Sequence, residues 1–257
     1  MKGNTLRLKL AGIGVSTKAI RRSLRKIRTA KQGQGYSRKM RPAQGVSFPR
    51  SGHGVVSNIA RRYFGEAFIY CDTNNKRRCG CESVPCINPQ RTFAKNHDFG
   101  LQNSVGVPII PSERYLIQYR SPVRSIASNY YLFRNNDRAR HSKSEWQRFA
   151  FKSINYWNRF VDKWVLNFPP DADAPLYCSY ESLISDPEVR LREVLSYLSD
   201  EPLDADAVRQ VLRKKPIAQR NNISEFPHYD AGFFREIEEM TSGRLGRLGL
   251  PSFDEES

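Results

Sequence analysis

The sequence predicts an α/β fold: three α/β/α layers around a central parallel sheet, with one strand–loop–helix unit shaped to cradle a phosphate. Three observations carry this. Short apolar runs alternate with segments of helical period, the pattern of parallel strands joined by crossover helices. The first such run leads through a glycine-containing loop directly into a helical pattern. The 257 residues include 14 Phe, 12 Tyr and 3 Trp, enough aromatic mass to fill a core.

The elements follow in order. Val46-Ser47-Phe48 reads as a strand end, and Pro49-Arg50-Ser51-Gly52-His53-Gly54 as the loop after it. Val55, Val56, Ile59, Ala60, Tyr63 and Phe64 then recur at helical spacing. Strand, loop and helix in this order present free backbone N–H groups to an anion at a helix N-terminus. Ala67–Cys71 reads as the next strand, and residues 72–96 show no period and read as a long loop. Tyr115–Tyr119 is a buried strand that runs into Arg120-Ser121-Pro122, where Pro122 suits the first turn of a helix continued by Val123, Ile126, Ala127 and Tyr130. The longest helical signal, about 143–166, carries Trp146, Phe149, Ala150, Ile154, Trp157, Phe160, Val161 and Trp164 on one face. Pro175–Tyr180 reads as a strand, followed by Asp186 as N-cap and Pro187 at N1 of a further helix.

Charge divides the chain. Residues 1–50 hold 14 of the 42 Lys and Arg and no Asp or Glu, leaving 28 basic against 26 acidic residues in the remainder. The formal charge of +16 therefore belongs mainly to a leader. The expected organisation is a basic leader over 1–44 and one domain over 45–257. A lopsided leader is not a basic binding face, and no zinc-finger, RNP-type or helix-turn-helix pattern accompanies it, so nucleic acid is not an expected partner. A short helix over 16–28 would carry cations around most of its circumference, which suits either a solvated arm or contact with an anionic membrane surface. No window approaches the apolar length of a spanning helix, and the leader lacks a continuous apolar signal-peptide core. The expected location is cytoplasmic, with peripheral membrane contact through the leader as a further expectation.

The loop at 49–54 lacks the Lys-Ser/Thr pair of a nucleoside triphosphatase loop, and with it an obvious Mg²⁺ ligand. Phe48-Pro49-Arg50-Ser51-Gly52-His53-Gly54 instead resembles the 5′-phosphosulfate loop of the sulfotransferase family, usually [YF]-P-[KR]-S-G-T-T. Tyr119-Arg120-Ser121-Pro122-Val123-Arg124-Ser125-Ile126-Ala127-Ser128 resembles that family's 3′-phosphate segment, with Arg120 and Ser128 eight positions apart. Tyr180-Glu181-Ser182-Leu183-Ile184-Ser185-Asp186-Pro187 is similar to the family's Y-E-D-L-x-x-D-P, and Lys95-Asn96-His97 looks like its K-x-H pair. The elements appear in the family's order over residues 46–198. His53-Gly54 departs from the usual Thr-Thr, and no clear counterpart of the closing R-K-G loop is present; Lys214, Lys215 and Arg220-Asn221-Asn222 are the substitutes on offer.

The resemblance implies transfer of a sulfuryl group from 3′-phosphoadenosine-5′-phosphosulfate (PAPS) to an acceptor hydroxyl or amine, leaving 3′,5′-bisphosphate (PAP). It implies Arg50, Ser51, Gly52, His53 and Gly54 around the 5′ end, the last three through backbone N–H groups. It also implies Arg120 and Ser128 at the 3′-phosphate and Tyr180 near the adenine. Arg50 would neutralise charge on the departing oxygen. His97 is the candidate base, because imidazole titrates near working pH, and Lys95, two positions away on an extended segment, would contact sulfuryl oxygens. No metal is expected in the reaction. Phe93, Phe99, Trp146, Tyr130 and Tyr131 are candidates to line the acceptor pocket.

Cys71, Cys79, Cys81 and Cys86 follow C-x7-C-x-C-x4-C, without the C-x2-C of common zinc sites, and Cys178 stands apart. A disulfide among 79, 81 and 86, a four-cysteine zinc site and free thiols all remain open, free thiols being the expectation in a reducing cytosol. The acceptor is expected to be a carbohydrate or lipid-linked glycan, with a small-molecule alcohol or phenol as the alternative. From other classes, a P-loop nucleotide kinase would need the missing Lys-Ser/Thr, and a nucleic-acid or membrane-binding module rests on the leader alone.

Overall fold

The structure is a computed structural model that describes residues 38–72, 81, 83–99, 106–134, 142–213 and 222–252. The candidate leader helix, Cys79, His141 and the basic residues at 214, 215 and 220 lie outside the described residues. Five strands, β1 (Ala43–Ser47), β2 (Tyr70–Asp72), β3 (Phe93–Asn96), β4 (Tyr115–Tyr119) and β5 (Leu176–Ser179), form one sheet in the order β2-β3-β1-β4-β5. Every pair is parallel, with Val46 opposite Asn96 on one side and Ile117 on the other. Order jumps outward from β1 to both sides, so the C-terminal ends of β1, β3 and β4 meet where the strand order reverses, the place where such sheets bind ligands.

Helices α1 (His53–Phe64), α5 (Pro187–Leu198) and α6 (Ala205–Arg213) cover one face through Val56, Ile59, Leu191, Leu195 and Val208. Helices α2 (Pro122–Arg134), α3 (Lys143–Val161), α7 (Ala231–Glu239) and α8 (Ser242–Leu248) cover the other. The short α4 (Tyr180–Ser185) joins β5 to α5. Both sheet faces are thus buried, which explains why β1 and β4 are buried at every position rather than alternating. The aromatic stripe of α3 and of the turn after it fills the core on this face: Trp146 and Trp157 of α3 and Trp164 just beyond it are all fully buried. Ser142 caps α3 with Glu145 completing a capping box, and Asp186 caps α5 with Pro187 behind it.

The structure adjusts several sequence boundaries. Residues 38–44, assigned to the leader, are part of the folded unit: Met40 bridges to Ser199 and Ala43 opens β1. The strand expected at 67–71 begins at Tyr70, because a 3₁₀ turn occupies Gly65–Ala67. Residues 72–96 are not all loop, since their last four form β3. The long helix ends at Val161 and continues as a π-helical turn, Asp162–Leu166. Tyr180 opens α4 instead of closing a strand. Among the described residues, no helix is long and apolar enough to cross a membrane.

Candidate functional site

The loop between β1 and α1 is bent by two left-handed residues, Arg50 (φ 67°) and Gly52 (φ 85°). A Cβ on Gly52 would stand 3.0 Å from Leu183 Cδ2 and Tyr180 Cδ2, so glycine answers both the dihedral and the close approach of α4. No side chain caps the N-terminus of α1. Val55 and Val56 N–H donate to the Gly52 carbonyl, and among the described residues no side chain takes up the N–H groups before them, which together with the helix dipole is the condition that favours an anion. Ser51 lies between them, 1% exposed, and its Oγ has no hydrogen-bond partner among the described residues. A buried, unmatched hydroxyl beside an uncapped helix fits a phosphate or sulfate oxygen.

The side chain of His53 turns the other way, into the sheet. Its Nδ1–H donates to Gln118 Oε1 at 3.1 Å, and its Nε2 accepts from the Tyr70 hydroxyl at 3.1 Å. The ring stacks on Phe93 and occupies the space over Gly45, where a Cβ would meet Phe93 Cζ at 2.5 Å and His53 Cε1 at 2.9 Å. Burial, then the Lys95 and His97 charges, hold its pKa well below the ordinary value. Only the backbone of His53 is left to face a ligand. Gln118 completes this brace by donating from Nε2 to the Ser51 carbonyl at 3.4 Å, while its own carbonyl accepts from Phe48 N–H.

The second loop, after β4, is pinned from two sides. Trp157 Nε1 donates to the Arg120 carbonyl at 2.9 Å, and Ser121 N–H donates to Glu181 Oε1 at 3.0 Å. The Arg120 guanidinium, 8% exposed, lies 4.1 Å over the Tyr180 ring and donates to the Arg50 carbonyl at 3.4 Å. Arg50 in turn donates from Nε to Ser128 Oγ at 2.9 Å. Arg50, Arg120, Ser128 and Tyr180 are thus one cluster spanning both loops. Tyr180 packs between the Arg120 guanidinium and Gly52, which accounts for its burial.

His97 stands just past the end of β3, beside the end of β1. Its Nδ1–H donates to the Ser47 carbonyl at 2.6 Å, with Ser47 Oγ 3.2 Å from the same nitrogen. This fixes the proton on Nδ1 and leaves Nε2 as a lone-pair acceptor. Burial and the Lys95 charge lower its pKa to about 4. Lys95 Nζ is 3.8 Å from Asp72 Oδ2 and shares the sheet face of Phe93 and His53. Next in sequence, Asp98 is fully buried: its carboxylate accepts from Phe99 N–H, Val107 N–H, Lys163 Nζ and Trp164 Nε1. This knot ties the segment that carries His97 to the π-helical turn.

The expected acceptor aromatics divide. Phe93, Trp146 and Tyr130 are core residues and cannot line a pocket, whereas Tyr131 is exposed and Phe99 is half-buried under the Arg159 guanidinium at 4.3 Å. Gln118, Ser47, Asp98 and Trp157 are the supporting residues that the motifs do not include. Gln118 alone carried a visible signal, as the one amide inside the apolar run Tyr115–Tyr119.

No protein-family model matches the chain, and no curated protein matches it. Solved structures do. A mouse sulfotransferase, SULT7A1, complexed with PAP superposes with a TM-score of 0.55 at 14% identity, over 80% of this chain and 84% of that one. A retinol dehydratase in complex with retinol and PAP gives 0.53 at 13% identity, over 85% and 86%. The fold is that of the PAPS-dependent sulfotransferases. In this sulfotransferase fold the loop at 49–54 and the segment at 120–128 both lie at the C-terminal ends of β1 and β4, side by side.

Proposed function

We propose that this chain is a sulfotransferase that moves a sulfuryl group from PAPS to an acceptor hydroxyl or amine. One observation carries the reading: the uncapped α1 N-terminus, with the buried and unmatched Ser51 hydroxyl, sits in one cluster with Arg50 and Arg120. Two guanidiniums and a row of backbone donors suit a donor that is charged at both its 5′ and 3′ ends. Ser51 and the amides of Gly52–Gly54 would hold the 5′ end, and Arg120 with Ser128 the 3′-phosphate. Arg50 bridges the two through its bond to Ser128 and would turn toward charge on the leaving oxygen.

His97 would take the acceptor's proton at Nε2 as the oxygen attacks sulfur. The sulfur–oxygen bond to the nucleotide breaks, and PAP leaves with that electron pair. Lys95 would stabilise the sulfuryl oxygens and, by its charge, keep His97 neutral beforehand. Binding of PAP measured by calorimetry, together with transfer of labelled sulfate, tests the proposal. No heat with PAP on folded protein overturns it, and competition by Mg·ATP in place of PAP would instead support a nucleotide kinase.

The acceptor is proposed to be a carbohydrate or lipid-linked glycan, read from the basic leader, with peripheral membrane contact in the cytoplasm as part of the same proposal. A second reading, a small-molecule alcohol, is favoured by the retinol bound in the retinol dehydratase complex. A labelled-sulfate screen over glycans, lipids, alcohols and phenols separates them.

A further inference from the structure

At the β2 edge of the sheet, three cysteines converge, one from β2 and two from the connection that leads to β3. Cys71 lies in β2, while Cys81 and Cys86 lie in the segment that returns to β3. Their sulfurs all fall within 4.8 Å of one another, Cys71 to Cys81 at 3.7 Å and Cys81 to Cys86 at 3.4 Å. A disulfide brings sulfurs to about 2.0 Å. Tetrahedral zinc with Zn–S near 2.3 Å sets ligand sulfurs about 3.8 Å apart. The observed separations lie close to the second spacing.

Among the described residues of the connection, Arg91 and Thr92 tie down only its last turn, through Glu113 and the carbonyls of Ala43, Ala67 and Ile69. The cluster's core consists of Cys71, Cys86 and Ala94, with Cys81 packed against it, and contains no large apolar side chain. Yet the connection runs from residue 73 to 92, and its described residues form no helix or strand. A metal clip that closes a connection of that length has more chain entropy to remove than one that closes a short loop. Cys178, by contrast, is a buried thiol on β5 at the opposite edge, pushed up to about 12 by burial, and behaves as a packing residue.

We propose that Cys71, Cys81 and Cys86 form a structural zinc site that clips the β2–β3 connection to the sheet. Thiolates are soft ligands suited to Zn²⁺, and each cysteine would release its proton to solvent on coordination, so binding weakens as pH falls. Cys71 pairs with Ala94, the residue before Lys95. The clip therefore fixes the edge of the strand that carries Lys95 and leads to His97. The site is independent of the sulfotransferase proposal, and its tests read metal and thiols rather than activity.

The full chain, purified with zinc in the medium and desalted, is expected to retain stoichiometric zinc by elemental mass spectrometry. Cys71, Cys81 and Cys86 should resist alkylation until a chelator is added, as mapped on their peptides. Cobalt titrated into chelated wild-type protein should produce a thiolate-to-cobalt charge-transfer band, which requires no variant to fold. Cys71→Ser, Cys81→Ser and Cys86→Ser should each lose bound zinc, whereas Cys178→Ser keeps it. Equal alkylation with and without zinc, absence of the cobalt band, or a Cys81–Cys86 disulfide in metal-free native protein would each overturn the proposal.

Discussion

The Nδ1–H of His97 donates to the carbonyl oxygen of Ser47 across 2.6 Å, joining the ends of two neighbouring parallel strands. Ser47 is the last residue of β1, which leads through Phe48 into the loop at 49–54, so this bond ties the proposed base to the proposed donor site. It also decides which nitrogen can accept a proton. With Nδ1–H engaged by a backbone carbonyl, Nε2 carries the lone pair.

Because burial first and Lys95 second lower the His97 pKa to about 4, the free protein holds this imidazole neutral across the range where histidine normally titrates. The pH profile of kcat/KM for the nucleotide donor should therefore be flat from neutrality down to mildly acidic pH, with its acid limb near 4. Lys95→Met removes the charge and should move that limb upward. His97→Ala should lower turnover by about 10²-fold or more while leaving PAP affinity nearly unchanged. An acid limb at the ordinary histidine value, shared by wild type and Lys95→Met, would contradict this account.

Arg120 is buried, stacked on Tyr180 and bonded to the Arg50 carbonyl, so it is held in place before any nucleotide arrives. Loss of a charge-assisted hydrogen bond costs about 1.5–3 kcal/mol. Arg120→Ala should weaken PAP binding by that amount, roughly tenfold or more, and should weaken adenosine 5′-phosphosulfate, which lacks the 3′-phosphate, far less. Calorimetry with both ligands distinguishes a 3′-phosphate clamp from general damage, since equal losses for the two would reject the clamp.

How much of this was legible beforehand depends on the reach of each interaction. The α/β class and the strand–loop–helix at 49–54 follow from local patterns, Arg120 and the K-x-H pair from the resemblance to sulfotransferase motifs, and the structure brings Arg50, Arg120, Ser128 and Tyr180 into one cluster. Strand β3 leaves no period in the sequence because only four residues, Phe93–Asn96, form it. His53 stands at a ligand-facing position of the loop, yet its ring faces inward, because Gln118, Tyr70 and the open space over Gly45 accept it there. Those partners lie up to 65 residues away and leave no mark on the loop's own sequence. Asp98 is silent in the sequence for a similar reason: four donors satisfy it, none supplied by a recognisable motif.

Asp98 offers a prediction about stability rather than chemistry. Its carboxylate is fully buried, and two of its four donors, Lys163 Nζ and Trp164 Nε1, share one oxygen. Asp98→Asn preserves shape but removes the charge and points an amide donor at other donors. Breaking a buried, hydrogen-bonded charge pair on one side costs about 3 kcal/mol. Urea unfolding should show that loss, visible as a lower midpoint with an unchanged slope. A midpoint equal to wild type would mean that the knot does not hold the His97 segment.

The two histidines at the sheet's end also make stability depend on pH, with a sign that can be worked out. His53 sits well below, and His97 falls to about 4 from, the ordinary value of 6.5 that applies in the unfolded chain. Above 6.5 both states hold neutral rings, and these groups contribute no pH dependence. Between about 6.5 and 4 the unfolded chain binds protons that the native chain refuses, so stability falls as pH falls. Carboxylates add their own acid sensitivity, so the informative quantity is the difference between proteins. His53→Gln keeps hydrogen-bonding capacity while removing one of the two rings. Its unfolding free energy, measured in urea at pH 5 and pH 7, should drop less between the two conditions than that of wild type. An identical drop would show that the His53 ring takes up its proton in the folded protein as readily as in the unfolded one.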